Sequence, residues 1–280
     1  MTSVKKTGVK RKFAVVRPNV LITTFTSHAA KFVNLQRVNF ALAGLYALQA
    51  LFVLMFGHAA KAPVTLNYLT SDALQTAAQH KTVLTLASHR WFDANLLALV
   101  VTVLLLAAAV HVLLATVLLK RYEDALTKQT HDVRWAGYAL AGGLLLVTVG
   151  LVLGVADVAV LVALFGLCVV MAMGAMAVEA NKRLSPWSLF AAMPAVATVL
   201  VLGAYMLGGA LYGTALPGYA CWVAALALFG MVGVAANLWL QIRGKDQWKD
   251  YLFAEEVYMA LNFVAVSAIT WLIFAGVLHG

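Results

Sequence analysis

The chain has 280 residues, 63% hydrophobic and 11% charged, with a mean hydropathy of +0.89, whereas a soluble domain carries about 25% charged residues. It is an integral membrane protein built of helices, because its apolar runs are continuous rather than the alternating, roughly ten-residue strands of a transmembrane barrel. The formal net charge of +9 does not indicate nucleic acid, since nearly all of it flanks apolar spans, where it sets topology and meets anionic lipid. Cys168 and Cys221 form neither a disulfide framework nor a metal-ligand spacing, and their positions along the spans argue against pairing with each other.

Residues 1–37 read as a basic tail containing Lys5, Lys6, Lys10, Arg11, Lys12, Arg17, Lys31 and Arg37, with no acidic residue. No continuous apolar run precedes Val38, so the tail is not a secretory signal, although its composition is also that of organelle-targeting segments. Residues 38–280 then read as one bundle of seven spans, near Val38–Phe56, Asn95–Leu119, Trp135–Gly154, Val158–Val178, Leu189–Met206, Cys221–Leu240 and Val257–Leu278. Pro194 is expected to kink the fifth span or mark its start. Gly208, Gly209, Gly213, Pro217 and Gly218 punctuate the link to the sixth. There is no repeat of 20–50 residues and no soluble domain.

Of the 20 Lys and Arg residues, 17 fall in the tail and the second, fourth and sixth loops, and only Lys61, Lys81 and Arg90 fall on the other side. The positive-inside rule therefore puts the N-terminus inside and, with seven spans, the C-terminus outside. The first loop, 58–94, contains the alternating Val64, Leu66 and Tyr68 and a second short run, Val83-Leu84-Thr85-Leu86. It is expected to form a small β-hairpin outside the membrane.

In the last span, Tyr258, Asn262 and Thr270 recur at helical spacing and share one face. Val266 occupies the middle of that face. Most such seams are simply the polar stripe of a bundle helix. His111 is the one ionisable residue expected deep within a span. Such groups are functional candidates by default, and the plainer reading is a neutral imidazole bonded to a neighbouring Tyr or Asn. Glu179, at the end of the fourth span, is expected to pair with Lys182 or Arg183 or to cap a helix. No Asp, Glu or His relay joins Asp157 to Glu179, which argues against proton pumping. Gly150 and Gly154, with Gly142 and Gly143 upstream, supply small residues for close helix packing. Zinc sites, phosphate-binding glycine loops, nucleophile elbows and HExxH are absent, so no enzyme is expected.

The run Tyr258, Leu261, Val264, Ala265, Ser267, Trp271, Phe274, Ala275, Gly276 resembles the seventh helix of the heliorhodopsins, and WKDYLFAEE (Trp248 to Glu256) resembles the loop before it. The similarity extends through Asn39, Gly44 and Gln49, HVLLAT (His111 to Thr116), RWAGYAL (Arg134 to Leu140), Asp157, Glu179, Asn237 and Gln241. PVTLNYLTSD (Pro63 to Asp72) resembles the family's first-loop hairpin, which contributes to its dimer. The resemblance implies a seven-helix bundle of heliorhodopsin type with inverted topology, in agreement with the charge asymmetry.

It also locates three departures at the chromophore. The retinal-bonding lysine falls at Val266, the counterion glutamate at Gly137, and a histidine of the first helix at Tyr46. Valine has no amine and forms no Schiff base, and no lysine falls inside any expected span, the nearest being Lys31, Lys120 and Lys249. Covalent retinal is therefore not expected, and no metal either. His111, Tyr46, Asn237 and Asn262 are candidate pocket-lining residues around the lost lysine and counterion positions. Tyr138, Trp222, Trp239, Trp271, Met171, Met173 and Met176 could line an apolar cavity or form ordinary core and interface belt.

The leading expectation is a retinal-free structural or accessory membrane subunit. It would act through its helix faces, hairpin and basic tail, as a homodimer or with other membrane proteins. The alternatives are a non-covalent retinoid, isoprenoid or lipid sensor or carrier, and a light-sensing photoreceptor. Plasma membrane and mitochondrial inner membrane both fit the sequence.

Overall fold

The computed structural model describes residues 18–183, 187–213 and 217–279, so the cations from Lys5 to Arg17 of the basic tail lie outside the described residues. Among the described residues, seven helices are long and apolar enough to cross a membrane. The first, α1 (Pro18–Phe56), begins well before Val38, where the apolar run starts. The other spans are α3 (Leu96–Ala115), a third formed by α5 (Asp132–Gly137), a π turn at Tyr138–Gly142 and α6 (Gly143–Val152), then α7 (Val158–Asn181), α8 (Trp187–Tyr212), α9 (Gly218–Arg243) and α10 (Tyr251–Ile273), which a second π turn extends to Leu278. A short α4 (Leu119–Thr127) lies in the second loop.

Polar side chains placed just before the apolar runs start the helices. Asn95 accepts the N–H of Ala98 at 3.3 Å, Asp157 that of Ala159 at 2.7 Å, and Asp250 that of Leu252 at 3.0 Å. Pro194 lies two turns inside α8, and Thr198 Oγ1 donates back to the Pro194 carbonyl at 2.9 Å. Gly143 lets α6 approach α7, since a Cβ there would lie 2.7 Å from the Phe165 ring. Gly150 does the same against Leu164 at 2.9 Å. Gly154 has another role: its φ of 87° turns the chain out of α6, with open space around it.

The bundle packs most extensively at α1–α3, α7–α8 and α9–α10. α8 is peripheral: 11% of its span is buried, against 28–39% for the other six. Outside the bundle, β1 (Lys61–Ser71) and β2 (Leu84–Asn95) form an antiparallel hairpin with a bulge between Val64 and Thr65. Its strands are longer than the alternating sequence suggests, and the polar stretch between them forms α2 (Ala73–Gln79). Its base is fixed to the bundle. Thr65 N–H donates to the Ala156 carbonyl at 2.8 Å, His58 N–H to Leu278 at 2.7 Å, and Leu96 N–H to Ala60 at 2.9 Å.

Candidate functional site

The polar face of α10 points into the bundle: Tyr258, Val266 and Thr270 are all buried, with Val266 only 4% exposed. Val266 stands between two small cavities. One of about 90 Å³ is lined mainly by apolar groups, including Leu146, Cys168, Met171 and Ile269. The other, about 50 Å³, reaches from Gly137 and Val266 past His111 to His131, Arg134 and Glu255. Tyr138 and Asn262 border both. Gly137 faces α3, where a Cβ would meet Val110 at 3.4 Å. The Cys168 thiol donates to the Tyr138 carbonyl in the π turn at 3.3 Å.

His111 is held by Asn39. The Asn39 amide donates to the Leu35 carbonyl at 2.9 Å, which leaves its Oδ1 toward His111 Nδ1 at 2.7 Å. Nδ1 therefore carries the proton in the neutral ring. Tyr46 stacks on that ring at 5.8 Å and accepts from Asn262 Nδ2 at 3.3 Å. His111, Tyr46, Asn262, Gly137 and Val266 thus form one neighbourhood. Asn237 lies elsewhere. It donates to the Ala254 carbonyl at 3.0 Å and accepts from Trp248 Nε1 at 2.7 Å, tying α9 to the start of α10. Trp222, Trp239, Trp271, Met173 and Met176 are exposed on the outer surface, and Met171 turns inward.

Toward the basic end lies a buried ionic cluster. Arg134 extends one guanidinium nitrogen to Glu255 and another to Glu179, between the rings of Trp135 (4.8 Å) and Tyr258 (3.9 Å). Glu179 therefore pairs with Arg134 rather than with the adjacent Lys182 or Arg183. Its carboxylate also accepts from Gln241 Nε2 (3.1 Å), Tyr251 OH (2.8 Å), Trp135 Nε1 (2.8 Å) and the His131 N–H (3.0 Å). Glu255 faces Tyr122 OH at 3.3 Å and His131 Nε2 at 3.4 Å. Two carboxylates thus share one guanidinium, and neutral donors compensate the remainder.

His131 Nδ1 accepts the Arg134 N–H at 3.2 Å and caps α5. The neutral ring therefore holds its proton on Nε2, toward Glu255. Burial, followed by the Arg134 guanidinium, pushes the imidazole pKa down to about 3. Burial also raises the Tyr122 phenol, reinforced by Glu255.

The cluster joins the third, fourth, sixth and seventh spans to the second loop. Hydropathy alone puts Arg134 among the loop cations and Glu255 just outside the last span. The available signal was spacing, because Tyr251, Glu255, Tyr258 and Asn262 continue the polar face of α10 backwards.

Seven apolar helices, an external hairpin and a polar seam along the last helix define a multi-pass membrane protein with a rhodopsin-like bundle. The family model described as Heliorhodopsin matches residues 35–278, and the chain belongs to that family. A comparison with curated proteins returned no match.

Proposed function

We propose that this heliorhodopsin-family chain works without retinal, as a structural or accessory component of a membrane assembly. The observation that carries the reading is Val266, buried where the resemblance puts the Schiff-base lysine. No amine is available there, and Gly137 offers no carboxylate opposite it. Among the described residues Lys31 is the one lysine within a candidate span. It sits at the first residue of that span, half exposed and paired with Asp250 at 2.5 Å. The space supports the same reading. The cavities beside Val266 are about 90 and 50 Å³, whereas small-molecule sites run to ~300–1,000 Å³ and about 150 Å³ accommodates a single benzene. The small space beside Val266 supports a core that holds no polyene.

The assembly role is supported by the hairpin, where Leu66, Leu69, Leu84, Leu86, Trp91 and Phe92 are exposed beyond the helices. An apolar surface of this kind marks a contact with another protein or with a membrane surface, and its place beyond the helices favours the former. The test is an absorption spectrum of the purified protein with and without added retinal, followed by native mass spectrometry. A colourless protein that carries a stoichiometric second subunit fits the proposal. A visible band bleached by hydroxylamine would establish a photoreceptor, and a non-covalent retinoid adduct would establish a carrier.

A further inference from the structure

The ionic cluster around Arg134 is one positive charge short. The Arg134, Glu179 and Glu255 side chains are 6%, 2% and 2% exposed, so one guanidinium faces two carboxyl groups away from bulk water. His131 beside them is neutral, since its Nδ1 accepts the Arg134 N–H. Among the described residues no other Lys or Arg pairs with either carboxyl group. Two full charges on one buried guanidinium would leave the excess uncompensated, which is costly. Carboxyl groups that share one site commonly resolve this by keeping a proton between them.

The two carboxyl groups are not equivalent. Besides Arg134, Glu179 accepts from Gln241, Tyr251, Trp135 and the His131 N–H, a donor set that suits a full negative charge. It also borders two cavities at the basic end, of about 200 and 690 Å³. Glu255 has Arg134 on Oε2. Its Oε1 meets only Tyr122 OH at 3.3 Å and His131 Nε2 at 3.4 Å, both long for a bond to a carboxylate. Glu255 borders the cavity of about 50 Å³ within the bundle.

We propose that Glu255 is a proton-binding site, holding one exchangeable proton on Oε1 with the Tyr122 oxygen as its acceptor. The proton comes from water at the basic end and returns to it. His131 is the partition there, because it lines both the 690 Å³ groove and the cavity beside Glu255. The groups facing Glu255 are His111 of α3, Tyr122 of α4, His131 and Arg134 at the start of the third span, Tyr138 of the π turn, Glu179 of α7, and Tyr251 and Tyr258 of α10. Only Arg134 among them is a cation, and only Glu179 competes for it. Loss of the proton therefore sets two charges against one guanidinium and loosens the second loop, which Tyr122 and His131 hold to this cluster. The inference does not depend on what the core holds at Val266.

The test is infrared spectroscopy of the full-length protein, in which the carbonyl stretch separates a carboxylic acid from a carboxylate. The parent is expected to show an acid band that fades as the pH is raised and is lost in E255Q. Melting temperatures at neutral pH assign it. E255Q is the isostere of the neutral acid and should melt with the parent. E179Q forces Glu255 to ionise beside Arg134, so the acid band should vanish and the melting temperature should fall. An acid band of equal strength in the parent and E255Q would overturn the site. An E255Q that melts as low as E179Q, or lower, would move the proton off Glu255 and overturn the assignment.

Discussion

His131 caps α5 with one ring nitrogen and presents the other to Glu255, so a second proton has no place on it. The charged ring would turn a donor toward the Arg134 N–H that it now accepts. Arg134, Glu179, Glu255, Asp132 and Tyr122 surround it, and its pKa of about 3 lies below the unfolded value of about 6.5. Between those values the unfolded chain binds the proton and the folded chain does not, so stability falls as the pH drops from about 7 to about 3, by at most ~1.4 kcal/mol per unit. H131N keeps a side-chain oxygen for the cap and removes the titration. Melting curves from pH 7 to 4 should flatten in H131N relative to the parent, and parallel curves would remove His131 from the acid response. At Val266 the question is space as well as chemistry. V266K would place an amine, a carbonyl-reactive nucleophile, at the buried position. Borohydride should trap it with a small aldehyde but not with retinal, because the neighbouring cavities are too small for the polyene. G137E/V266K should likewise stay colourless with retinal. A visible pigment from the double variant would show that the core still opens to a chromophore.

At the scale of elements, Arg134 binds α5 to α7 and α10, and Tyr122 and His131 bring the second loop onto the same knot. R134M removes the guanidinium shared by two buried carboxylates and should cost on the order of 3–5 kcal/mol. R134M/E179Q/E255Q removes all the charge and should recover most of that loss. The melting temperatures of the two variants decide the point, and equal values would mean that the charges do not act as a unit. This knot also shows where sequence reading stopped. The seven spans, the hairpin and the inward face of α10 were legible, because hydropathy and periodicity are local properties. The partners of Arg134 lie 45 and 121 residues away, and no local pattern connects them. Hydropathy also works against such residues. A charge beside an apolar run reads as a boundary, so hydropathy cuts Glu255 and Arg134 from their spans although pairing lets both be buried. Asn237 is a further case, since its polarity suggested a pocket and its contacts make it a brace between α9 and α10. The reach of α1 back to Pro18 was hidden for the opposite reason, because a helix that continues beyond the apolar run leaves no hydropathy signal.

For the whole molecule, the distribution of charge implies one orientation. With 17 of 20 basic residues at one end and an odd number of spans, a tag before Met1 should be inside and a tag after Gly280 outside. Protease protection of both tags on one side would contradict seven spans. The same orientation puts the hairpin outside, held at its base through Thr65 and Asp157 and free at its tip. Leu69 and Leu86 are directly opposed across the strands and are 66% and 70% exposed. A two-stranded sheet with apolar side chains on a projecting tip is marginal alone and gains by packing against another surface. L69D/L86D places like charges on that surface without touching the bundle, so the melting temperature should change little. If the hairpin is the assembly contact, the larger species in native mass spectra of the parent should give way to the single chain in L69D/L86D. Retention of the larger species in the variant would move the contact to the lipid-facing helices, with the peripheral α8 as the next surface to test.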